Sequence, residues 1–491
     1  MATDAATTNR AAAAQLGDAL RAVGYAEDGI IELLGEDGYS TGPEDLPTHA
    51  RRLPETKLAT TVRLLFLGLA VPTAEAERAL GRRAVEALAL TGFAEVDGEV
   101  VPRTRIVPVE DLLIAADSYS RGIEDPADYV AAFSPTSRLC DSLTPRRQVD
   151  SALDVGTGSG AQALLAARHA RRVVATDVNP RALEFTRLNA ALNGLANIEV
   201  RSGSLFEPAG DERFDLIVCN APYVISPERR WTYRDAGGVG DEISERVVRE
   251  AAARLNDGGF ATVTASWVAP DAEEPDERVL AWVDATGCDA WIFVAWGADA
   301  LDHAAEWNAD LAGDAEAFAE RLDDWNRYLD ELGVRWISEG AVVLHRTGRS
   351  RPVVRIDEVD QEEIEAAGDQ IERAFGARAR LAELHRSTDL LDERLRVASN
   401  LRLEHVLEPQ SDAPAVTSAS VLLDEGTFSA VDADPDALEV VFELDPDLTL
   451  AEVLDEVADR LDLSGEDALR LQRDTLELCR ELLELGALQL A

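Results

Sequence analysis

The segment Ser151–Ala161, SALDVGTGSGA, decides the fold of this chain of 491 residues. Its first residues have the apolar character of a buried strand, and three glycines, Gly156, Gly158 and Gly160, follow directly. Glycine permits a positive φ and lets a ligand approach the backbone closely. A helix that begins after this turn would add free N–H groups and a partial positive charge. The segment therefore predicts a strand, a turn and a helix that together bind a nucleotide-like cofactor.

The surrounding region repeats this alternation of strand and helix. Between residues 116 and 350, short β-branched runs alternate with helical patterns, which is typical of a parallel α/β sheet. Seven strands are predicted, at Ala152–Val155, Val173–Thr176, Ile198–Arg201, Asp215–Cys219, Phe260–Ala265, Ala290–Ala295 and Ala341–His345. An acidic helical insert, residues 298–333, separates the last two strands. We interpret it as packing for the sheet edge, with a lid over the site as the alternative.

Two flanking regions complete the predicted organisation. Residues 1–115 indicate helices followed by a β-hairpin at Asp97–Gly98, which suggests a winged-helix-like domain. Residues 351–491 indicate an acidic α+β domain, also winged-helix-like, in which Thr449 and Glu452 predict a capping box. An acidic domain of this kind is interpreted as an intramolecular docking element or a protein contact rather than a phosphate-binding surface. The predicted domains are 1–115, 116–350 and 351–491.

The composition limits the class of protein. The chain carries 47 basic and 93 acidic residues, a formal net charge of -46. Tight non-specific binding to nucleic acid needs clustered Lys and Arg, so this charge argues against it, although a local basic patch stays open. The four cysteines have neither CxxC nor metal-ligand spacing and predict reduced thiols with no metal site. Neither a signal peptide nor an apolar run of membrane-spanning length is visible, which predicts a cytoplasmic protein without membrane contact.

The glycine turn alone does not distinguish a dinucleotide from another nucleoside cofactor. Gly156, Gly158 and Ala161 also fit the degenerate dinucleotide-binding pattern GxGxx(G/A). Asp154, two residues before the turn, is unfavourable beside a pyrophosphate, and it suits a ligand with an amino group such as the methionine end of S-adenosylmethionine. Asp177 ends the second predicted strand and can accept both ribose hydroxyls, a feature that NAD sites share. These residues predict a nucleoside cofactor and favour one that carries an amino group.

A further motif follows the fourth predicted strand, where FDLIVC leads into NAPY at Asn220–Tyr223. A dehydrogenase gives no reason to expect it. Taken in order, LDVGTGSG, VVATDVNPRALEFTRLNAALNGL, RSGSLFEP and FDLIVCNAPYV resemble class I methyltransferases of the small-domain type. That group includes enzymes that methylate the glutamine amide of release factors and the exocyclic amines of guanine or adenine. The resemblance covers about Asp128–Gly348 and implies a Rossmann-like, seven-stranded sheet and S-adenosyl-L-methionine as cofactor.

The resemblance also implies roles for individual residues. Asp154 and the glycine turn would line the methionine and ribose side of the cofactor, and Asp177 would bind the ribose hydroxyls. Ser204 and Leu205 would flank the adenine. Ser204 stands where family members often have Asp, which weakens the contact with the adenine amine. The predicted cofactor-binding residues are Asp154, Gly156, Thr157, Gly158, Gly160, Asp177, Val178, Asn179, Ser204, Leu205 and Asn220.

The predicted catalytic residues are Asn220, Ala221, Pro222 and Tyr223. By the resemblance, a nitrogen lone pair attacks the methyl group on the sulfonium in line. The Asn220 side-chain oxygen and the Ala221 carbonyl would accept the two N–H groups of a planar NH2, which orients the nitrogen and raises its charge. Pro222 holds the turn, and Tyr223 would stack on the planar amide or base. Ala221 replaces the usual Pro of the motif, so the loop loses some rigidity.

Three classes of function remain. The favoured one is an N-methyltransferase that acts on a planar amide or exocyclic amine, with either a release-factor-like protein or RNA as its partner. The second is a non-catalytic binding module with a methyltransferase fold, which Ser204 and Ala221 keep open. The third is an NAD-dependent oxidoreductase, against which Asp154 argues. The polar segment Tyr233–Asp235 is predicted either to contact the substrate or to connect two elements, and the oligomeric state is not predicted.

Overall fold

The computed structural model describes residues 2–35, 39, 42, 45–119, 125–220, 222–228, 238–399, 401–408, 415–423, 426–427 and 431–490. The chain divides into two compact units. Unit 1 consists of Met1–Cys140, Gln148–Thr286 and Trp296–Val342, and unit 2 of Asp141–Arg147, Gly287–Ala295 and Val343–Ala491.

The first part of unit 1 is mostly helical. Its helices are α1 (Ala2–Ala22), α2 (Glu27–Leu34), α3 (Leu46–Arg52), α4 (Lys57–Thr61), a π-helical turn (Val62–Phe66), α5 (Thr73–Leu80) and α6 (Arg82–Thr91). Its strands are β1 (Val71–Pro72), β2 (Ala94–Asp97), β3 (Glu99–Pro102), β4 (Thr104–Val109) and β5 (Leu112–Asp117). Asp97 pairs with Glu99 across Gly98, so the predicted hairpin is present. β1 pairs with β3 at its other edge, which makes a small three-stranded sheet.

The central part of unit 1 is a parallel sheet covered by helices. Its strands are β6 (Val149–Val155), β7 (Ala170–Asp177), β8 (Ile198–Ser202), β9 (Phe214–Cys219) and β10 (Leu255–Ala269). The helices are α7 (Pro135–Ser142), α8 (Ala161–Ala167), α9 (Pro180–Leu192), α10 (Glu242–Arg254) and α11 (Glu277–Asp284), with a 3-10 turn at Glu207–Ala209. These strands lie in the order β10-β9-β6-β7-β8 and pair in parallel.

The strand order reverses at β6, which pairs with β7 on one side and β9 on the other. The crevice at the carboxyl ends of the strands next to such a reversal is where ligands bind in open α/β sheets. Both faces of the sheet are buried, and therefore Ala152–Val155 and Leu216–Cys219 are fully buried runs rather than alternating ones. The sequence places its glycine turn and its Asn220 motif at this edge.

The first helices share a core with α9, one of the helices that cover the central sheet. One cluster of buried apolar residues contains Leu16 and Leu20 of α1 together with Phe185, Leu188 and Leu192 of α9. The Arg21 guanidinium donates to the Leu192 carbonyl at 3.1 Å, at the end of both helices. α9 is thus packed against α1 on one side and lies behind the glycine turn on the other.

Two helices follow the strand β11 (Asp289–Asp299) and precede β12 (Trp336–His345). They are α12 (Ala300–Glu306) and α13 (Ala315–Glu331), with a 3-10 turn at Ala309–Leu311 between them. Each begins at an aspartate whose carboxylate accepts backbone N–H groups, Asp299 for α12 and Asp314 for α13. The predicted acidic insert is therefore a pair of helices.

Unit 2 contains the remaining elements. They are β13 (Val354–Glu358), α14 (Gly368–Leu381), a 3-10 helix (Ser387–Asp392), β14 (Leu395–Val397), β15 (Leu401–Glu408), β16 (Ala415–Leu423), β17 (Val431–Ala433), α15 (Pro435–Phe442), α16 (Leu450–Arg460), α17 (Glu466–Glu484) and β18 (Leu488–Leu490). β15, β16 and β17 form an antiparallel sheet, and β14 pairs with β18. The capping box of Thr449 and Glu452 opens α16 as predicted.

The predicted fold class is confirmed for the central α/β sheet, and the winged-helix-like character of the flanking regions stays a prediction. All seven strands predicted for the central region are present, and the Rossmann-like α/β arrangement holds. The mixed sheet has eight strands rather than seven, because Val354–Glu358 pairs in parallel with Ala290–Val294. The sequence VRIDE carries three charges in five residues, so its hydrophobic pattern did not predict a strand. Within the described residues, no helix combines the length and the apolar character needed to cross a membrane.

Candidate active site

A cavity of about 480 Å³ lies in unit 1, at the carboxyl ends of β6, β7 and β9. Its volume is in the range of small-molecule and cofactor sites. Most of the predicted site residues line it, namely Asp154, Gly156, Thr157, Gly158, Asp177, Val178, Asn179, Ser204, Leu205, Asn220, Pro222 and Tyr223. Gly160 is absent from the lining, and both Ala221 and the segment Tyr233–Asp235 lie outside the described residues.

Asp154 lines the cavity and is 2% exposed. Its Oδ2 accepts from the Thr157 hydroxyl at 2.6 Å and from the Ala163 backbone N–H at 3.0 Å. Burial raises the pKa of the Asp154 carboxyl to about 7, and these hydrogen bonds oppose that rise. A ligand ammonium group beside Asp154 would restore the charged carboxylate.

Asp177 ends β7 and is held by backbone N–H groups. Its Oδ2 accepts from Gly158 at 3.0 Å and its Oδ1 accepts from Asn179 at 2.8 Å. Burial raises the pKa of the Asp177 carboxyl, and the hydrogen bonds from Asn179 and Gly158 oppose it. Asn179 also caps α9, because its Oδ1 accepts from the Arg181 N–H. The turn after β6 and the turn after β7 therefore support each other at the cavity.

The glycines of the turn have different surroundings. Gly158 has a φ of 54°, and a methyl group added to it would meet no atom within 4 Å, so its outer face is open to the cavity. Gly160 has a φ of 88°, and an added methyl would lie 3.0 Å from the Thr186 Cα of α9. Gly160 thus lets α8 approach α9 closely, which is a packing requirement. Its predicted contact with the cofactor stays a prediction.

Asn220 follows β9 directly and is held by two hydroxyl groups. Its Nδ2 donates to the Ser137 hydroxyl at 3.1 Å, and its Oδ1 accepts from the Thr264 hydroxyl at 2.9 Å. An amide oxygen has two lone pairs, so Oδ1 keeps one acceptor position. Ser137 lies on α7 and Thr264 on β10, and both are buried. Neither was predicted from the sequence, because hydroxyl residues at these positions have no distinguishing pattern.

Tyr223 lines the same cavity as Asn220, three residues further along the chain. Its hydroxyl donates to the Thr136 hydroxyl at 3.2 Å, and its carbonyl accepts from the Ser266 hydroxyl at 2.9 Å. Burial raises the pKa of the Tyr223 hydroxyl, so the phenol stays neutral. Pro222 lies between Tyr223 and the motif Asn and also lines the cavity. Hydrogen bonds therefore hold both the backbone and the ring of Tyr223.

Trp307 lines the cavity from the helical insert. It packs, like Tyr223, against the buried cluster of Val224, Ala304 and Trp325. The insert thus packs against the loop after β9 and also contributes one residue to the cavity wall, and its role as packing or as a lid stays a prediction. The aromatic residues of the insert were visible in the sequence, but the residue that reaches the cavity was not.

Comparisons with known proteins agree with this geometry. Residues 134–270 match the family model described as "Methyltransferase small domain", and residues 22–105 match one described as "Domain of unknown function (DUF7059)". The ribosomal protein uL3 glutamine methyltransferase of Bradyrhizobium diazoefficiens is 34% identical over 165 residues, which are 31% of this chain and 52% of that protein. The release factor glutamine methyltransferase of Geobacter sulfurreducens is 39% identical over 125 residues, 23% of this chain and 43% of that protein.

The chain spans about half the length of the curated relatives it matches. A methyltransferase structure from Pyrococcus furiosus aligns with a TM-score of 0.28 and 19% identity over 48% of this chain and 89% of that chain. Most residues of the cavity fall within the matched segment, and Trp307 lies beyond it. Residues 134–270 are therefore similar to the methyltransferase small domain, by their match to that family model.

Proposed function

We propose that this chain is an S-adenosyl-L-methionine-dependent N-methyltransferase that acts on a planar NH2 group, with a protein glutamine as its first candidate acceptor. The observation that carries the proposal is the placement of side chains at the strand ends. Carboxylates lie at the carboxyl ends of β6 and β7 in the cofactor part of one cavity, and an amide follows β9 in the same cavity. This arrangement separates a site for a cationic nucleoside from a site for an amide or amine.

The residues around the cavity fit the cofactor. Asp154 is a buried carboxylate whose pKa is raised to about 7 by burial, and an ammonium group is the partner that would stabilise its charge. Asp177 has the position and the oriented oxygens to accept ribose hydroxyls. Ser204 and Leu205 line the cavity where the adenine would lie. When bound, the cofactor supplies an electrophilic methyl group on a sulfonium.

Asn220 orients the acceptor. Its remaining Oδ1 lone pair accepts one N–H of the acceptor, while Ser137 and Thr264 hold the amide in place. The Ala221 carbonyl is proposed to accept the other N–H. Two acceptors build up charge on the nitrogen as the methyl group is transferred, and preorganised acceptors of this kind lower the barrier. No strong general base is needed, since the proton leaves after transfer.

Protein is favoured over RNA as the acceptor. The two relatives named above are, by their names, glutamine methyltransferases of a ribosomal protein and of release factors. Arg246, a basic side chain in the cavity wall, is paired with Glu250 at 2.7 Å rather than held ready for a phosphate. The net charge of -46 also repels a phosphate backbone. An RNA base is retained as the second acceptor, which the experiment distinguishes.

The predicted division into domains 1–115, 116–350 and 351–491 is part of this proposal. We expect the acidic C-terminal domain to act as a protein contact that helps to recruit the acceptor. The cytoplasmic location stays a prediction.

The first test is isothermal titration of the full chain with S-adenosylmethionine, S-adenosylhomocysteine and NAD. We expect binding of the first two and none of NAD. Binding of NAD without S-adenosylmethionine would refute the proposed cofactor.

The second test compares acceptors. Tritiated methyl transfer is measured into a purified release factor and, in parallel, into a ribosome fraction whose protein and RNA are then separated. We expect label in protein, released as N-methylglutamine after enzymatic digestion. Label in RNA alone would indicate that the acceptor is an RNA base rather than a protein glutamine. Cofactor binding without transfer to either would favour the non-catalytic binding module.

A further inference from the structure

We propose that Trp307 is a specificity-determining residue for the acceptor, and that Glu339 positions its indole ring beside the planar group to be methylated. This inference rests on the proposed function, and it assigns part of the acceptor site to the helical insert. The insert lies outside residues 134–270, the segment that matches the methyltransferase small domain. Acceptor recognition would then depend on a part of this chain that the matched family does not supply.

The position of Trp307 relates it to the acceptor rather than the cofactor. It follows α12 directly, lines the cavity and packs on the same buried cluster as Tyr223. Asp154 and Asp177, which are proposed to hold the cofactor, lie on the glycine-turn side. A planar amide gains most from aromatic faces, because a ring packs on it without competing for its N–H groups. Tyr223 and Trp307 provide two such rings in one cluster.

Glu339 fixes the orientation of the indole. The Trp307 Nε1–H donates to Glu339 Oε1 at 3.0 Å, and the Glu339 side chain is 15% exposed. Burial raises the pKa of the Glu339 carboxyl to about 7, which the bond from Trp307 opposes. His303 Nδ1 lies 3.5 Å from the same oxygen. The acceptor for the indole N–H is therefore a largely buried carboxylate on β12.

The insert also holds the loop that carries Tyr223. His303 Nε2 and the Ile225 carbonyl are 3.0 Å apart, and Arg321 of α13 forms an ion pair with Glu228. Ile225 is buried against Ala300 and other residues of the insert. The insert therefore contacts the loop at two positions beyond the motif, so that Trp307 and Tyr223 are placed relative to each other.

The test measures acceptor binding without requiring catalysis. The full chain is saturated with S-adenosylhomocysteine, and N-acetyl-L-glutamine methylamide and, separately, guanosine are titrated by ligand-observed NMR. W307A is expected to weaken binding of the glutamine probe about tenfold or more, which corresponds to the loss of an aromatic contact and its buried area. W307F keeps a ring and is expected to lose less. E339L, which removes the acceptor for the indole N–H, is expected to fall between wild type and W307A.

Two controls separate recognition from folding. W282F changes a buried tryptophan of α11 that does not line the cavity, and it should leave probe binding unchanged. The affinity for S-adenosylhomocysteine should change less than about twofold in W307F and W307A. If W307A itself fails to fold, W307F and E339L carry the test.

Three results would overturn the inference. They are an unchanged probe affinity in W307F and W307A, an equal loss of affinity for S-adenosylhomocysteine, and wild-type binding of neither probe. Binding of guanosine but not of the glutamine probe would overturn its assignment to a protein acceptor. A wild-type chain that binds neither S-adenosylmethionine nor S-adenosylhomocysteine would instead refute the proposed function, which is a distinct outcome.

Discussion

The cofactor side and the acceptor side of the cavity differ in how far their contacts reach along the chain. Asp154 accepts hydrogen bonds from residues three and nine positions away, and Asp177 from residues two and nineteen positions away. Asn220 contacts residues 83 and 44 positions away, and Trp307 bonds to a residue 32 positions away. One side is a local structure, and the other is assembled from α7, β10, the insert and β12.

This difference separates two kinds of function. A strand, a turn and a helix bring the cofactor contacts together as soon as they form. The acceptor contacts exist only when several distant elements are packed. Substitutions should therefore divide into those that change cofactor affinity alone and those that change transfer at unchanged cofactor affinity.

Asn220→Ala should have the largest effect, a loss of methyl transfer that originates on the acceptor side of the cavity. The substitution removes the side-chain oxygen proposed to accept an N–H of the substrate. Loss of one preorganised hydrogen-bonding group at a reacting centre lowers kcat by about 10²–10³-fold. The measurement is the initial rate of tritiated methyl transfer, with S-adenosylmethionine affinity by titration as control. An unchanged rate would remove the catalytic assignment of Asn220, and an equal loss of cofactor affinity would erase the division between the two sides.

Asp154→Asn should weaken the binding of S-adenosylmethionine on the cofactor side of the cavity. The asparagine keeps an oxygen for the Thr157 and Ala163 contacts but loses the charge proposed to bind the cofactor ammonium. Loss of one partner of a buried charge pair costs about 2 kcal/mol or more, which is about a 30-fold rise in the Kd of S-adenosylmethionine. Titration calorimetry above pH 8 measures it. An unchanged Kd would show that the ammonium lies elsewhere.

The same variant has a pH signature in the cofactor-free protein. Burial raises the pKa of Asp154 to about 7 from 3.8, so between these values the folded chain binds more protons than the unfolded chain. The contribution of this group to stability is therefore favourable at low pH and is lost as pH rises towards 7. D154N removes this dependence, and its Tm relative to wild type should rise from pH 5 to pH 8. Two parallel Tm profiles would contradict the raised pKa.

Gly160→Ala should destabilise the cofactor side by altering its packing. A left-handed φ costs a non-glycine residue about 1–2 kcal/mol, and the added methyl would also lie 3.0 Å from the Thr186 Cα. Gly194→Ala is the matched control, because Gly194 has a φ of 67° with no atom within 4 Å of an added methyl. Thermal unfolding should show a larger loss for G160A. Equal losses would mean that α8 and α9 do not need this close approach.

Thr264→Val should have the smallest effect. It tests the hydrogen bond that holds Asn220 on the acceptor side of the cavity. Valine keeps the shape of the side chain and removes the hydroxyl that donates to Asn220. The loss of one hydrogen bond, about 0.5–1.5 kcal/mol, predicts a kcat lower by about two- to thirteenfold at unchanged cofactor Kd. Thr264→Ser keeps the hydroxyl and should restore most of the rate. A serine variant as slow as the valine variant would show that the methyl, and not the hydroxyl, matters.

Much of the fold could be predicted because its signals are periodic and local. Buried runs bounded by turn residues predicted all seven strands, and the paired Thr449 and Glu452 predicted their capping box. The strand at Val354–Glu358 was missed because it is short and charged, and its pairing with β11 is what makes it a strand. Register and pairing of that kind depend on neighbours that no local pattern specifies.

The sequence by itself determined the cofactor side of this protein. The glycine turn and the carboxylates at two strand ends predicted a nucleoside site at Asp154, Gly158 and Asp177, and the resemblance to methyltransferases then implied which cofactor it holds; the structure brings these residues to one cavity. The tertiary structure alone decided which hydroxyls hold Asn220 and that Trp307 of the insert reaches the cavity. The physical reason is that backbone conformation is set within a few residues, whereas a side chain's partner 30 to 80 positions away is set by packing.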